Sequence, residues 1–245
     1  MRPLLTALGL AAAWELLVWL TGVPSYILPP PSKIASVLAD RWDLLLDQAL
    51  WTGAEMLLGF ALGLLLGAAL AIVFAASAGW RRWALPLVIA SQAVPVIAIA
   101  PLLVLWLGYG MASKVVMAAL VIFFPVVSSL YDGLRRTDEG WLELAHTMDA
   151  PPWAILLQIR LPAALPAFAS GARIAAAVAP IGAVIGEWVG ASAGLGYLMT
   201  QQLARGQTPL AFAALFVLCL LGIGLYGVTD RVLRRLVPWQ SFQGD

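Results

Sequence analysis

The sequence predicts an all-α, polytopic membrane protein: six transmembrane helices with one polar helix–turn–helix between the fourth and the fifth. Three observations carry this reading. First, 62% of the 245 residues are hydrophobic and only 11% are charged, with a mean hydropathy of +0.92. A soluble domain is about half apolar and about a quarter charged, so lipid is the solvent this composition fits. Second, the apolar residues fall into runs at roughly 3–22, 53–78, 84–107, 112–131, 163–188 and 209–228. Each has about the 20 residues that a helix rising 1.5 Å per residue needs to cross a bilayer. Third, the basic residues sort by side. With the N-terminus in the cytoplasm, Arg2, Arg81, Arg82, Arg135, Arg136, Arg160, Arg231, Arg234 and Arg235 fall inside. Lys33, Arg41, Lys114 and Arg205 then fall outside, and Arg173 snorkels inward from the fifth span. This bias places both termini and 132–162 in the cytoplasm, with 1–245 as one membrane domain.

The first run contains Glu15 and ends at Thr21-Gly22-Val23-Pro24 without a small-residue cleavage site, so it reads as a retained helix and not a signal peptide. Glu15 is expected to serve a structural hydrogen bond. Next, Pro29-Pro30-Pro31-Ser32 forms a stiff lead into a helix cap. Ile34, Val37, Leu38, Trp42 and Leu45 then repeat at helical spacing, giving a short amphipathic helix at the outer surface. In the second span, Gly59, Gly63 and Gly67 make two overlapping G-x-x-x-G units on one face, permitting close helix approach. Glu55, near the start of that span, reads as interfacial. The third span carries Pro86, Pro95 and Pro101. Proline removes a backbone donor and bends a helix, and in lipid the freed carbonyls must face protein or a wet cavity. Gln92, Pro95 and Pro101 are therefore candidates for a translocation pathway, with plain structural kinks as the equal alternative.

The segment between spans four and five is the most informative. Asp138 and Glu139 put acids at the positive end of a helix. Trp141, Leu144, Ala145 and Met148 follow on one face, expected to rest on the membrane domain. Glu139, Glu143, His146 and Asp149 occupy the other, expected to meet a partner. Asp149-Ala150 breaks the helix, and Pro151-Pro152 suits the first turn of a second helix running to about Arg160. Leu161-Pro162 then enters span five.

In this segment Glu143-Leu144-Ala145, three residues, Asp149, nine residues, then Ile159-x-Leu161-Pro162 resembles the "EAA" loop of permease subunits of bacterial ATP-binding-cassette importers. Leu144 stands where that pattern has alanine, and Asp149 where it has glycine. The glycine serves a turn with positive φ, which aspartate tolerates better than most residues. Leu28-Pro29-Pro30-Pro31-Ser32, Gly59-Phe60, Phe124-Pro125, Leu161-Pro162-Ala163-Ala164-Leu165-Pro166 and Gly186-Glu187-Trp188-Val189-Gly190 through Gly194-Leu195-Gly196-Tyr197 resemble the nitrate/sulfonate/taurine-type branch. The stretch Ala179–Met199 looks most like members assigned to pyrimidine precursors of thiamine. The resemblance implies a type I importer permease of MetI-like fold in the bacterial inner membrane. It implies a second permease copy, two ATP-binding subunits docked on the loop, and a periplasmic substrate-binding protein. The docking positions it marks are Glu143, Leu144, Ala145, His146, Thr147, Asp149 and Ala150.

The remaining residues limit the chemistry. No G-x-x-x-x-G-K-[ST] loop exists, since Lys33 and Lys114 each follow serine. The chain is thus expected not to be an enzyme and to carry no cofactor, with ATP and Mg on the partner ATPase. An ion-coupled carrier or channel, the alternative, would need ionisable groups in mid-membrane, and only Glu15, Glu55 and Glu187 lie near apolar runs. Glu187, with Trp188 beside it, is a candidate gate or pathway residue; the competing reading is that its carboxylate caps the turns of 190–196. Gly190-Ala191-Ser192-Ala193-Gly194 fits the G-x-S-x-G of serine hydrolases. The only histidine, His146, falls across the membrane from it, leaving an intramembrane hydrolase remote. Net charge is +1, which gives no nucleic-acid footprint. The single cysteine, Cys219, has no disulfide or metal-ligand spacing around it, and no metal site is expected.

Overall fold

The structure, a computed structural model, describes residues 2–239, with side chains described from residue 5. Its helices are α1 (Arg2–Thr21), α2 (Pro31–Asp40), α3 (Trp42–Ala76), α4 (Ala78–Ser91), α5 (Val96–Leu107), α6 (Met111–Arg135), α7 (Glu139–Thr147), α8 (Pro152–Ala154), α9 (Leu161–Gly190), α10 (Leu195–Ala204) and α11 (Thr208–Leu236). A π-helical stretch, Ile155–Arg160, joins α8 to α9. Among the described residues four helices are long and apolar enough to cross a membrane, α4 with α5 makes a bent fifth, and α1 is apolar over Leu5–Thr21.

The local causes are visible at the helix ends. Pro31 opens α2 at the position where a missing N–H costs nothing. The next residue, Ser32, donates from its N–H (3.0 Å) and its Oγ (2.7 Å) to the two oxygens of Glu15. The acid in the first span therefore serves as a cap borrowed by α2. Ser77 caps α4 by accepting from the Trp80 N–H. The third apolar run is broken, with α4 and α5 meeting at 101°. The break sits at Pro95, the residue before α5, while Pro86 and Pro101 lie inside continuous helix. Proline excludes α geometry from the residue before it, and Gln92, Ala93 and Val94 accordingly close tight turns onto Ile89, Ala90 and Ser91.

The amphipathic stretch read as one short helix is divided at Arg41. Ile34, Val37 and Leu38 lie in α2, whereas Trp42 and Leu45 begin α3, which continues unbroken through the second apolar run. Nothing in Trp42–Gly53 removes a donor or forces a turn, so the helix propagates.

Helix α6 lies between α3 and α9, and small residues set the spacing. A Cβ on Gly63 or Gly67 would sit 2.6 Å from Ile122 or 2.8 Å from Val126 of α6, and Gly59 stands equally close to Ala118. The G-x-x-x-G face thus meets α6. A Cβ on Gly182 or Gly171 of α9 would likewise sit 2.7 Å from Ala118 or Ser129 of α6. Without a hydrophobic driving force in lipid, such close backbone approach supplies the dispersion contact that holds helices together. Arg173 of α9 does not snorkel. Its Nε donates to Asp230 of α11 at 2.7 Å, and Arg234 donates to the other oxygen at 2.9 Å.

Candidate functional site

Two polar constructions stand out, one at each end of the bundle. The first is the elbow formed by α7, the turn after it, and α8. Asp138 accepts from the N–H groups of Gly140 (2.8 Å) and Trp141 (3.4 Å), fixing the start of α7. At its end Ala150 N–H reaches back to the Ala145 carbonyl (3.0 Å) and Asp149 N–H to that of His146 (3.1 Å). This pair of bonds is a Schellman motif, in which the residue after the cap must be left-handed. That residue is Asp149, at φ +52°, the only non-glycine residue with positive φ among those described. A glycine at this place in the sequence pattern has a direct physical reason, and Asp149 occupies the same conformation at modest cost.

Beyond the turn, Pro152 starts a helix that does not stop. It passes through the π stretch and into α9 without a break at Leu161-Pro162, making Pro152–Gly190 one continuous element. The expected boundary near Arg160 is thus a change of helical winding. π turns recur at functional positions in helices. An unbroken helix transmits displacement of the elbow along its axis.

The faces of α7 differ from the expectation. Ala145 is buried, but Trp141, Leu144 and Met148 are 57%, 61% and 73% exposed. Helix α7 packs only lightly, on the π stretch, so its apolar side is left uncovered along with Trp153 and Leu157. Glu143, His146, Thr147 and Asp149 are exposed as well.

The second construction is a buried polar knot at the opposite end, where α3, α6, α9 and α10 converge. Glu187, on the last turn of α9, accepts at Oε1 from Thr52 Oγ1 (2.6 Å) and at Oε2 from the N–H groups of Gly196 and Tyr197 (3.3 Å for the latter). It therefore caps the N-terminus of α10, where orphan donors and the helix dipole favour an anion. Thr52 Oγ1 also accepts from Leu195 N–H (2.8 Å), and Gln48 Oε1 accepts from Gly194 N–H (2.7 Å). Gly194 sits at φ +111° against the Glu187 carboxyl, where a side chain would collide. Lys114, the first charged residue of α6, donates from Nζ to the carbonyls of Tyr109 (2.5 Å), Gly110 (3.1 Å) and Gly190. A cation thus closes the C-terminus of α9 while an anion closes the N-terminus of α10.

Two expectations change here. Glu55, expected at the interface, is covered by protein, with only 3% of it exposed; because α3 begins thirteen residues before it, Glu55 is well inside the helix. Lys114, expected on the outer side, is not a solvent-exposed cation there but has its side chain folded into the bundle. Thr52, Gln48 and Lys114 were not singled out from sequence. Thr52, Glu55 and Gly59 share a helical face, which is a signal, but nothing local to Lys114 announces its three carbonyl partners.

The other candidates are dispersed. Gln92, Pro95 and Pro101 lie on the bundle surface around the α4–α5 bend. Trp188 follows Glu187 by one residue, about 100° around the helix, and projects outward at 49% exposure. It borders a cavity of about 610 Å³ with Val96 and Ile97, just after Pro95, and with Ile181 and Met199. Glu187 is no part of that lining. Ser192 of the G-x-S-x-G lookalike lies in the turn between α9 and α10, not on a strand–turn–helix. Among the described residues no cluster of metal-ligating side chains is present.

Residues 59–240 match the family described as "binding-protein-dependent transport system inner membrane component". The chain is 49% identical over 237 residues to a probable ABC transporter permease protein of Haemophilus influenzae, covering 97% of each. It is 38% identical to the formylaminopyrimidine transport permease ThiX of Halalkalibacterium halodurans, over 99% of this chain and 97% of that one. The riboflavin transport permease RibX of Chloroflexus aurantiacus is 37% identical, over 96% and 89%. Inward-facing crystal structures of the MetNI methionine ABC transporter contain a chain of the same fold, with TM-score 0.70 and 20% identity, over 80% of this chain and 98% of that one.

Proposed function

From its membership of the binding-protein-dependent transport system inner membrane component family, to which this chain belongs as a multi-pass ABC transporter permease, we propose that it carries a pyrimidine precursor of thiamine inward, driven by a separate ATPase. The observation that carries the mechanism is the elbow: an exposed, partly apolar α7 locked by a left-handed turn and continued by unbroken helix into α9. A water-facing surface bearing Trp141, Leu144 and Met148 fits a protein partner. In this reading two copies of the chain pack around a central pathway in the inner membrane, with both termini cytoplasmic. Two ATP-binding subunits hold Glu143, Leu144, Ala145, His146, Thr147, Asp149 and Ala150, and ATP with Mg resides on them. A periplasmic binding protein presents the cargo. Closure of the ATPases moves the elbows, α9 tilts, and access alternates as a two-state rigid-body change.

The cargo reading draws on ThiX, which exceeds in identity the sulfonate and taurine permeases, at 30% and 27%. RibX points to the same flat nitrogen-heterocycle class. Sulfonates, taurine and nitrate are the second choice. Proteoliposomes holding this chain with its ATPase and binding protein are expected to take up labelled formylaminopyrimidine in an ATP-dependent manner. Uptake of taurine and not of the pyrimidine overturns the cargo, and uptake driven by an ion gradient without ATP overturns the mechanism.

Gln92, Pro95, Pro101, Glu187 and Trp188 are proposed to border the pathway or gate it. Trp188 does so directly, and Glu187 through the α9–α10 junction it caps. Glu187→Gln turns an amide N–H₂ toward one of the donors Glu187 now accepts from. Uptake is expected to fall several-fold while the ATPase still co-purifies. Unchanged uptake reduces Glu187 to a static cap.

A further inference from the structure

Large apolar side chains stand exposed around the elbow: Trp141, Leu144 and Met148 of α7, Trp153 and Leu157 just before α9, and Trp239 beyond the end of α11, each between 50% and 73% exposed. Lipid tails do not account for them. Pro162 lies twenty-five positions before Glu187 in α9, about 37 Å of helix against an apolar slab of about 30 Å. The charged knot at Glu187 sits at or outside one edge of that slab, so the elbow lies at or beyond the other. Trp239 reaches the elbow from a distant part of the chain. Leu233 of α11 and Val237 after it are buried with Ala169 and Ala172 of α9, and Asp230 holds Arg173 of α9 at 2.7 Å. Trp239 then forms one wall of a cavity of about 360 Å³, whose other walls are Trp141 of α7, Gln158 and Ile159 of the π stretch, and Pro162 and Ala163 of α9. Trp141 shares a side of α7 with Leu144 and Met148, so the cavity continues the uncovered apolar surface of the elbow.

We propose, on the premise that the elbow meets the ATPase, that the ATPase footprint extends past α7 to Trp239, and that an apolar side chain of the ATP-binding subunit inserts between Trp141 and Trp239. An apolar patch at a water-facing surface fits a protein partner, and tryptophans lining a pocket are where such contacts concentrate their binding energy. Gln158 is exposed on the cavity wall, which leaves its amide for a polar group beside the inserted side chain. The consequence is mechanical. Pressure at the cavity falls on α9 through Pro162 and on α11 through Trp239, and the Arg173–Asp230 pair keeps the two helices together.

The test titrates the ATPase subunit onto the full chain in lipid nanodiscs. Trp239→Ala is expected to weaken binding at least about tenfold, and Trp239→Phe far less. The unfolding midpoint of the permease alone is expected to stay where it is, because Trp239 is 60% exposed. Gln158→Trp adds apolar surface but plugs the cavity, and is expected to weaken binding too. Wild-type affinity in Trp239→Ala, while Asp149→Lys still weakens binding, overturns the extended footprint and leaves the elbow contact standing. Wild-type affinity in both variants overturns the elbow contact as well. Unchanged or tighter binding in Gln158→Trp shows that nothing enters the cavity. A Trp239→Ala chain that unfolds earlier but binds normally makes Trp239 a membrane anchor, which also overturns the proposal.

Discussion

Replacing Asp149 with valine is expected to abolish ATP-driven uptake while leaving the membrane bundle folded. The residue holds φ +52° as the left-handed member of the Schellman turn. A β-branched side chain there is a steric outlier, at a cost on the order of 1–3 kcal/mol. That is large against the stability of α7, which has nine residues and light packing; helices this short are marginal without tertiary support. The cost therefore appears as local unfolding of the elbow. Asp149→Gly relieves the same strain and is expected to transport at least as well as the wild type. Asp149→Lys keeps a tolerable backbone but reverses the charge, and is expected to weaken the partner's hold. The measurements are ATPase co-purification, then uptake in proteoliposomes. Full uptake in Asp149→Val would show that the turn is no part of the coupling path.

Lys114→Met should be the most destabilising single change in the bundle. It strips the carbonyls of Tyr109, Gly110 and Gly190 of their shared donor and leaves the Glu187 carboxylate without a cation. Breaking a buried charge arrangement from one side costs about 3–5 kcal/mol, whereas methionine fills much of the vacated volume. The penalty is thus electrostatic and not a cavity effect. Thermal unfolding in nanodiscs would read it as a large drop in midpoint. The double variant Lys114→Met with Glu187→Gln is expected to recover part of the loss, because the orphaned anion is gone; a double-mutant cycle isolates that term. A loss within about 1 kcal/mol, the range of an exposed pair, would mean that the knot is open to water.

The elbow was legible in sequence because its instructions are local. Asp138 caps within three residues, Asp149 closes a turn within five, and Pro151-Pro152 restarts a helix next door. The third apolar run shows where such reading stops. Three prolines mark it, but only Pro95 sits where the chain turns through 101°, and which proline yields depends on what packs around each. The exposed side of α7 has the same origin: amphipathic spacing fixes which residues share a face, not whether a neighbour covers that face.

Composition and period alone determine that this chain is helical and bathed in lipid, and the spacing from Glu143 to Pro162 marks the elbow, because hydropathy, proline and capping act within a turn or two of their own position. The knot was decided only by tertiary structure. Thr52 and Glu187 stand 135 residues apart, and Lys114 and Gly190 stand 76 apart. Their pairing depends on how closely glycine faces let α3, α6 and α9 approach, and no window along the chain contains that distance.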